Sequence, residues 1–180
     1  MSGFEFEISE EGASEIRERL AGLETELQQR AIRAGLNSAG KPIVETMQQL
    51  VPVGTGEDAG ALKQSIAKRS LSKNARGRLG LAENAVAVRI GPIKKVNGYS
   101  QAYVGSLVEH GVKPGTRKVF RRIGGTHNLK RRLAHIRAYT YHHPGQAAEP
   151  FMAPALARNE TQFESRFYDG MAAYLKRKGV

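Results

Sequence analysis

An apolar stripe with helical spacing near the start of the chain limits its fold more than any other feature. Ile16, Leu20, Leu23, Leu27, Ala31 and Ala34 recur at three- and four-residue steps, the repeat that lines one face of an α-helix. The stripe resumes at Ile43, Met47 and Leu50, with Gly35, Gly40 and Pro42 in between. A proline inside a helix removes an N–H and crowds the preceding turn, so the pattern predicts one long helix that is kinked or broken near 40–42. Its end is clear, because Val51-Pro52-Val53-Gly54-Thr55-Gly56 cannot continue a helix.

Shorter patterns follow on either side. Phe4, Phe6 and Ile8 alternate with Glu5, Glu7 and Ser9, the period of a half-buried strand. A short helical piece is expected at 57–67, with Leu62 and Ile66 on one face. Val86, Val88 and Ile90 mark a strand within 84–91, and 102–110 reads as a short helix closed by Gly111 at its C-cap. Residues 112–133 are rich in Gly and Arg with little periodicity, which suggests a long loop or an extended hairpin. Ile136, Ala138 and Thr140 then alternate with Arg137, Tyr139 and Tyr141 as another strand. Phe163, Phe167, Met171 and Leu175 define a C-terminal helix over 153–178, whose closing Lys176-Arg177-Lys178 suits the negative helix end. The fold class that results is α+β: the long N-terminal helix and the C-terminal helix pack on a small, mostly antiparallel sheet. At 180 residues a single domain over 1–180 is expected, with 112–147 as a basic loop or extended hairpin insertion.

Composition narrows the functional classes. There are no cysteines, so disulfides, thiolate zinc sites and cysteine nucleophiles are excluded. No run of about 18 apolar residues exists, which argues against a membrane-spanning helix and a membrane partner. The acidic, alternating start is not a secretory signal, so synthesis in the cytoplasm is expected. Lys and Arg number 28 against 17 Asp and Glu, a net charge of +11. The charge is segregated: residues 1–29 carry eight acids against two arginines, a net −6, which leaves +17 on the remainder. Between Glu109 and Glu149 there is no acid at all. Such polarity suits contact with polyanions or with oppositely charged copies of the same chain.

The residues do not assemble into a catalytic constellation. Gly54 to Gly60 resembles a phosphate loop only superficially, because Ala61 stands where the lysine belongs and a helix precedes it instead of a strand. His127, His135, His142 and His143 show no metal-binding spacing on a helix, and adjacent histidines on a strand point to opposite faces. Gly105-Ser106 lacks the following glycine of a nucleophile elbow. The acids cluster in the N-terminal helix, where a solvated face is expected. Neither an enzyme nor a cofactor or metal site is predicted. The basic segment is the stronger signal: Lys113, Arg117, Lys118, Arg121, Arg122, Lys130, Arg131, Arg132 and Arg137, interleaved with Phe120, Tyr139 and Tyr141. Arginine with aromatics neutralises and stacks on nucleic acids, yet the same residues are enriched at protein–protein hot spots. On the residues alone both readings stand.

Three local patterns carry a resemblance. They are Val51-Pro52-Val53-Gly54-Thr55-Gly56 leading to Gly60-Ala61-Leu62-Lys63-Gln64-Ser65-Ile66; Tyr103 to Gly111 (YVGSLVEHG); and Pro150-Phe151-Met152-Ala153-Pro154-Ala155-Leu156. Their order and spacing resemble the tail-component family of long-tailed bacteriophages, the neck or tail-completion proteins of the head–tail junction. The resemblance spans roughly 10–175. It implies a non-enzymatic virion protein forming a ring, hexameric in the family, between neck or head-closure proteins and tail terminator or tail-tube proteins, with channel DNA as a further contact. The motif residues are Pro52, Thr55, Gly56, Leu62, Ser65, Tyr103, Glu109, Gly111, Pro150, Phe151 and Pro154. Most serve the fold on this reading: Pro52 ends a helix, Phe151 anchors the last one, and Pro154 sits where an N–H is unpaired anyway. Glu109, an acid at the unfavourable end of a helix, calls for a partner cation. Two departures stand out, an expanded Thr55–Leu62 turn and a longer, more basic stretch between Gly111 and Pro150.

Overall fold

The computed structural model describes residues 14, 18, 20–82, 85–122 and 136–179. The chain divides into two compact units, Met1–Gly105 with Phe151–Val180 and Ser106–Pro150. The strand expected at 4–8 lies outside the described residues.

In the first unit, helix α1 runs without interruption over Thr25–Leu50, through Pro42. Of the kink or break expected near 40–42, the break is not made; the chain is interrupted instead at 21–24, between helical Leu20 and Thr25. Gly22 adopts φ +81° there, a left-handed conformation that glycine takes at little cost. The Gln28 side chain donates to the carbonyls of Leu20 (3.1 Å) and Leu23 (2.9 Å), supplying donors that a helix end lacks. The apolar stripe crosses this break because Leu20 enters the same core as Ala31 and Ala39, with Leu23 and Leu27 packed against it. Pro42 removes the N–H that would bond the Ser38 carbonyl, yet the helix runs on through it, and two side chains bond the helix backbone beside it. The Lys68 ammonium donates to the Asn37 carbonyl, and Thr46 Oγ1 donates to the Pro42 carbonyl at 2.9 Å.

The C-terminal helix expected over 153–178 is divided into α5, Met152–Asn159, and α6, Phe163–Lys178, joined by a 3₁₀ turn at Glu160–Gln162. Asn159, only 6% exposed, occupies the junction. Its Nδ2 donates to Thr46 Oγ1 (3.0 Å) and the Ala155 carbonyl (2.9 Å), and its Oδ1 accepts from Arg166 (2.9 Å). A buried amide with all these partners locks α5, α6 and α1 together at the bend. Helix α6 packs along α1, closing a core of Leu20, Ala31, Ala39, Phe167, Met171 and Leu175. The approach is close because the crossing residues are small. A Cβ on Gly170 would stand 2.3 Å from Ser38 Cβ, and one on Gly35 would stand 2.7 Å from the Phe167 carbonyl. At the end, Gly179 takes the left-handed cap and its N–H returns to the Leu175 and Lys176 carbonyls.

The opposite neighbour of α1 is a two-stranded ribbon. Strand β1, Ile66–Ser70, pairs antiparallel with β2, Val88–Pro92, from Ile66↔Pro92 to Ser70↔Val88. Gly40 lets it approach, since a Cβ there would meet Ile90 Cδ1 at 2.9 Å. The helical piece expected at 57–67 is shorter, α2 at Ala61–Ser65, and Ile66 starts a strand. The reason is at Ser65, whose carbonyl accepts the N–H groups of Ile93 and Lys94, each at 2.9 Å. The strand expected over 84–91 is realised at 88–92. Three further elements have no counterpart in the expectations. Helix α3, Lys73–Arg78, is capped by Ser72, whose side chain accepts the Ala75 N–H. Strands β3, Lys95–Val96, and β4, Tyr99–Ser100, form a hairpin whose turn residues Asn97 and Gly98 both have positive φ. Helix α4 spans Ala102–His110, as expected.

In the second unit, strand β5, Gly115–Arg122, pairs antiparallel with β6, Ile136–His143. The described strands thus form three separate antiparallel ribbons, in an α+β fold with a long N-terminal and a C-terminal helix. No helix among the described residues is long and apolar enough to cross a membrane.

Candidate functional site

Within the acid-free stretch, Gly115–Arg122 and Ile136–His143 form the β5–β6 ribbon, and its base shows how the ribbon is held. Gly111, with φ +69°, follows α4; a Cβ there would stand 2.8 Å from the Ala148 nitrogen and the Gln146 carbonyl. Val112 and Gln146 exchange both backbone hydrogen bonds, each at 2.8 Å. Gly145, with φ +88°, leaves room for the Pro114 ring, which a Cβ would meet at 2.8 Å. Pro114 and Pro144 bracket the first rung, Gly115↔His143. Neither has an N–H, so the ladder begins between them. An open hollow of about 630 Å³ lies at this base, lined by His110, Lys113, Pro114, Pro144 and Gln146 among others.

The register sorts the basic residues. Arg117 lies opposite Tyr141, Val119 opposite Tyr139, and Arg121 opposite Arg137. In an antiparallel pair, opposed residues share a face and alternate residues return to it. Positions 117, 119, 121, 137, 139 and 141 therefore fall in one register set, which includes three arginines and two tyrosines. Lys118 and Arg122 belong to the other, opposite Thr140 and Ile136. Lys113 and Lys118 are exposed. Lys130, Arg131 and Arg132 lie outside the described residues, as do His127 and His135.

The two described ribbon histidines have local roles. His142 Nδ1 is 3.1 Å from Thr116 Oγ1, and His143 Nδ1 accepts the Gly145 N–H at 3.0 Å. Among the described residues no group of three His, Asp or Glu stands ready to hold a metal.

The family-motif residues are distributed, not gathered into one site. Leu62, Ser65 and Phe151 are buried, and Ser65 Oγ donates to the Leu62 carbonyl at 2.6 Å. Pro52 and Pro154 are half-buried, whereas Thr55, Gly56 and Pro150 are exposed. Pro154 is the third residue of α5, where a missing N–H costs no helical bond. Glu109 is 7% exposed and Gly111 takes the left-handed cap position. Tyr103 departs from this pattern, being 67% exposed. Val104, in the same motif segment, and Tyr99, outside it, are exposed near it in sequence at 41% and 75%. The Asn97-Gly98 pair between Val96 and Tyr99 was the available signal, since that dipeptide marks a tight hairpin.

The comparisons with known proteins meet this geometry. No curated protein and no solved structure matches the chain. A family model described as "Bacteriophage HK97-gp10, putative tail-component" matches residues 14–111. The match takes in α1, the turn after it, α2, the β1–β2 ribbon and α4, and it ends where the basic ribbon begins. It covers more than half of the 180 residues, and the chain belongs to the HK97-gp10-like family of bacteriophage tail components.

Proposed function

We propose that this tail component is a structural, non-enzymatic subunit of a ring at the phage head–tail interface, completing the tail or bridging the neck to the tail tube. The observation that carries the reading is charge segregation onto separate parts of the chain. A net −6 sits on residues 1–29, while the acid-free stretch after Glu109 forms a compact unit of its own. Opposite charges on different patches favour head-to-tail contact between copies, and such heterologous contacts close into rings when the rotation allows. The ring is hexameric on the family resemblance, with neck or head-closure proteins on one side and tail terminator or tail-tube proteins on the other. Native mass spectrometry with size-exclusion chromatography tests this: a closed, salt-sensitive oligomer is expected, and a strict monomer at high concentration counts against it.

A second reading has its own support. The ribbon register places Arg117, Arg121 and Arg137 in one set with Tyr139 and Tyr141, a pattern suited to nucleic-acid phosphates and bases. On this reading the ribbon touches DNA in the channel. Neutralising Arg121, Arg122, Arg131 and Arg132 then abolishes DNA binding and leaves virion assembly intact.

A further inference from the structure

Tyr103 is a motif aromatic that the core does not use. Its helix is pinned from the other side: a Cβ on Gly105 would stand 2.7 Å from Pro92 Cγ and 3.4 Å from Leu62 Cδ1. With Gly105 buried, Tyr103 and Val104 remain exposed. The preceding hairpin adds a second aromatic, Tyr99, and its turn is held by Asn97 Nδ2 donating to Asp58 Oδ1 at 3.2 Å. Tyr99 and Tyr103 are thus both exposed and four residues apart in sequence, with Lys94 and Lys95 exposed a few residues earlier, and tyrosine is a residue type enriched at interface hot spots.

The β3–β4 hairpin also has two different faces. Val96 is opposite Tyr99, and Lys95 is opposite Ser100. One set of positions is apolar and the other is cationic or polar. A hairpin of two residues per strand is marginal by itself in water, and β4 pairs with β3 alone among the described residues. The sequence contains a segment with the complementary alternation. In Phe4-Glu5-Phe6-Glu7-Ile8-Ser9, apolar residues alternate with acids and a serine. Laid beside β4 as a third strand, it would bring Phe4, Phe6 and Ile8 to the Val96/Tyr99 face and Glu5 and Glu7 to the Lys95 face.

We infer that residues 4–9 of a second copy dock along the β4 edge, with their aromatic residues against Tyr99 and Tyr103 and their acids toward Lys95. The inference rests on the ring reading and names the surface of the contact. It also accounts for an exposed aromatic within a family motif.

The test places the photoreactive residue p-benzoylphenylalanine at position 103 of the full chain and mixes it with isotope-labelled full-length protein. Cross-links from position 103 to residues 4–9 of the differently labelled copy are expected. Cross-links to other segments, to residues 4–9 of the same chain, or none at all, overturn the inference. Native mass spectra of the same samples separate the two failures: rings without these cross-links sink the docking surface alone, whereas a monomer sinks the ring reading with it. In parallel, Tyr99→Ser with Tyr103→Ser is expected to weaken self-association by about 30-fold or more, with unchanged thermal unfolding because both side chains are exposed. Lys95→Glu is expected to weaken association as well, and Glu7→Lys in the same chain to restore it. Unchanged association in the double tyrosine variant contradicts the proposal.

Discussion

Adding one methyl group at Gly170 tests the helix crossing on which the first unit depends. The new Cβ would lie 2.3 Å from Ser38 Cβ and 3.1 Å from the Ala34 carbonyl, whereas carbon atoms in favourable contact stand about 3.5–4.0 Å apart. Relief requires α6 to move off α1 by an ångström or so, which loosens the contacts of Phe167 and Met171 in the core. Overpacking of this kind costs about 1–3 kcal/mol. Alanine regains about 0.5–1 kcal/mol of helix propensity over glycine, so Gly170→Ala is expected to destabilise by roughly 1–2 kcal/mol. Urea denaturation reads the loss, and a thermal scan should show a drop of about 2–4 °C per kcal/mol for a protein of this size. Gly77→Ala supplies the opposite sign: Gly77 lies in α3 with nothing within 4 Å of a new Cβ, so only the propensity gain of about 0.5–1 kcal/mol remains. Ser38→Gly in the Gly170→Ala background removes the first clash, and the pair should be non-additive by about 1 kcal/mol. If Gly170→Ala stabilises as Gly77→Ala does, the close crossing of α1 and α6 is refuted.

Three other outcomes follow from particular contacts. Asn159→Ala strips the bend between α5 and α6 of its buried hydrogen bonds, and urea denaturation should show a loss of about 1–3 kcal/mol; an unchanged midpoint would mean the network does not hold the bend. Burial, and secondarily the positive charge of Lys41, holds the Lys68 pKa below the ordinary lysine range, with Glu45 opposing. The folded chain therefore binds fewer protons than the unfolded chain between that lowered value and the ordinary one, and the contribution of Lys68 to stability rises with pH across this window. Thermal melts stepped up to about pH 10.4 should show a steeper rise for the wild type than for Lys68→Met, and equal slopes would contradict the assignment. If the basic ribbon binds duplex DNA, replacing Arg117, Arg121 and Arg137 together by Gln should reduce the salt dependence of log K by about 3, measured by fluorescence anisotropy; an unaltered slope removes these residues from the interface.

Locally encoded parts of the fold were legible in the sequence, and parts decided by tertiary contact were not. Helix α4 and its Gly111 cap could be read because the apolar run and the glycine are adjacent. The same stripe reasoning found both long helices but not where each is interrupted. Leu20, Leu23 and Leu27 keep helical spacing across a real break, since both sides of it feed one core. Pro42 suggested a kink or a break, yet the helix continues through it, and the Lys68 donor to the Asn37 carbonyl arrives from a strand 31 residues away in sequence. The bend at Asn159 depends on Thr46 and Arg166, which no local pattern announces. Strand β1 lacks a β-branched run and takes its form from pairing with β2. At the candidate site, residue types identified the basic stretch, but the set containing Arg117, Arg121 and Arg137 required the register. The exposed aromatic pair emerged only when burial separated Tyr103 from the motif residues that serve the core.

The role proposed for this tail component is to join tail to head as an assembled structural ring. Electron microscopy of lysates from a phage whose gene for this chain is inactivated, beside lysates complemented with the wild-type chain, tests it most directly. DNA-filled heads and separate tails that join only on complementation are the predicted result. Fully joined, infectious particles in the absence of the chain would contradict it.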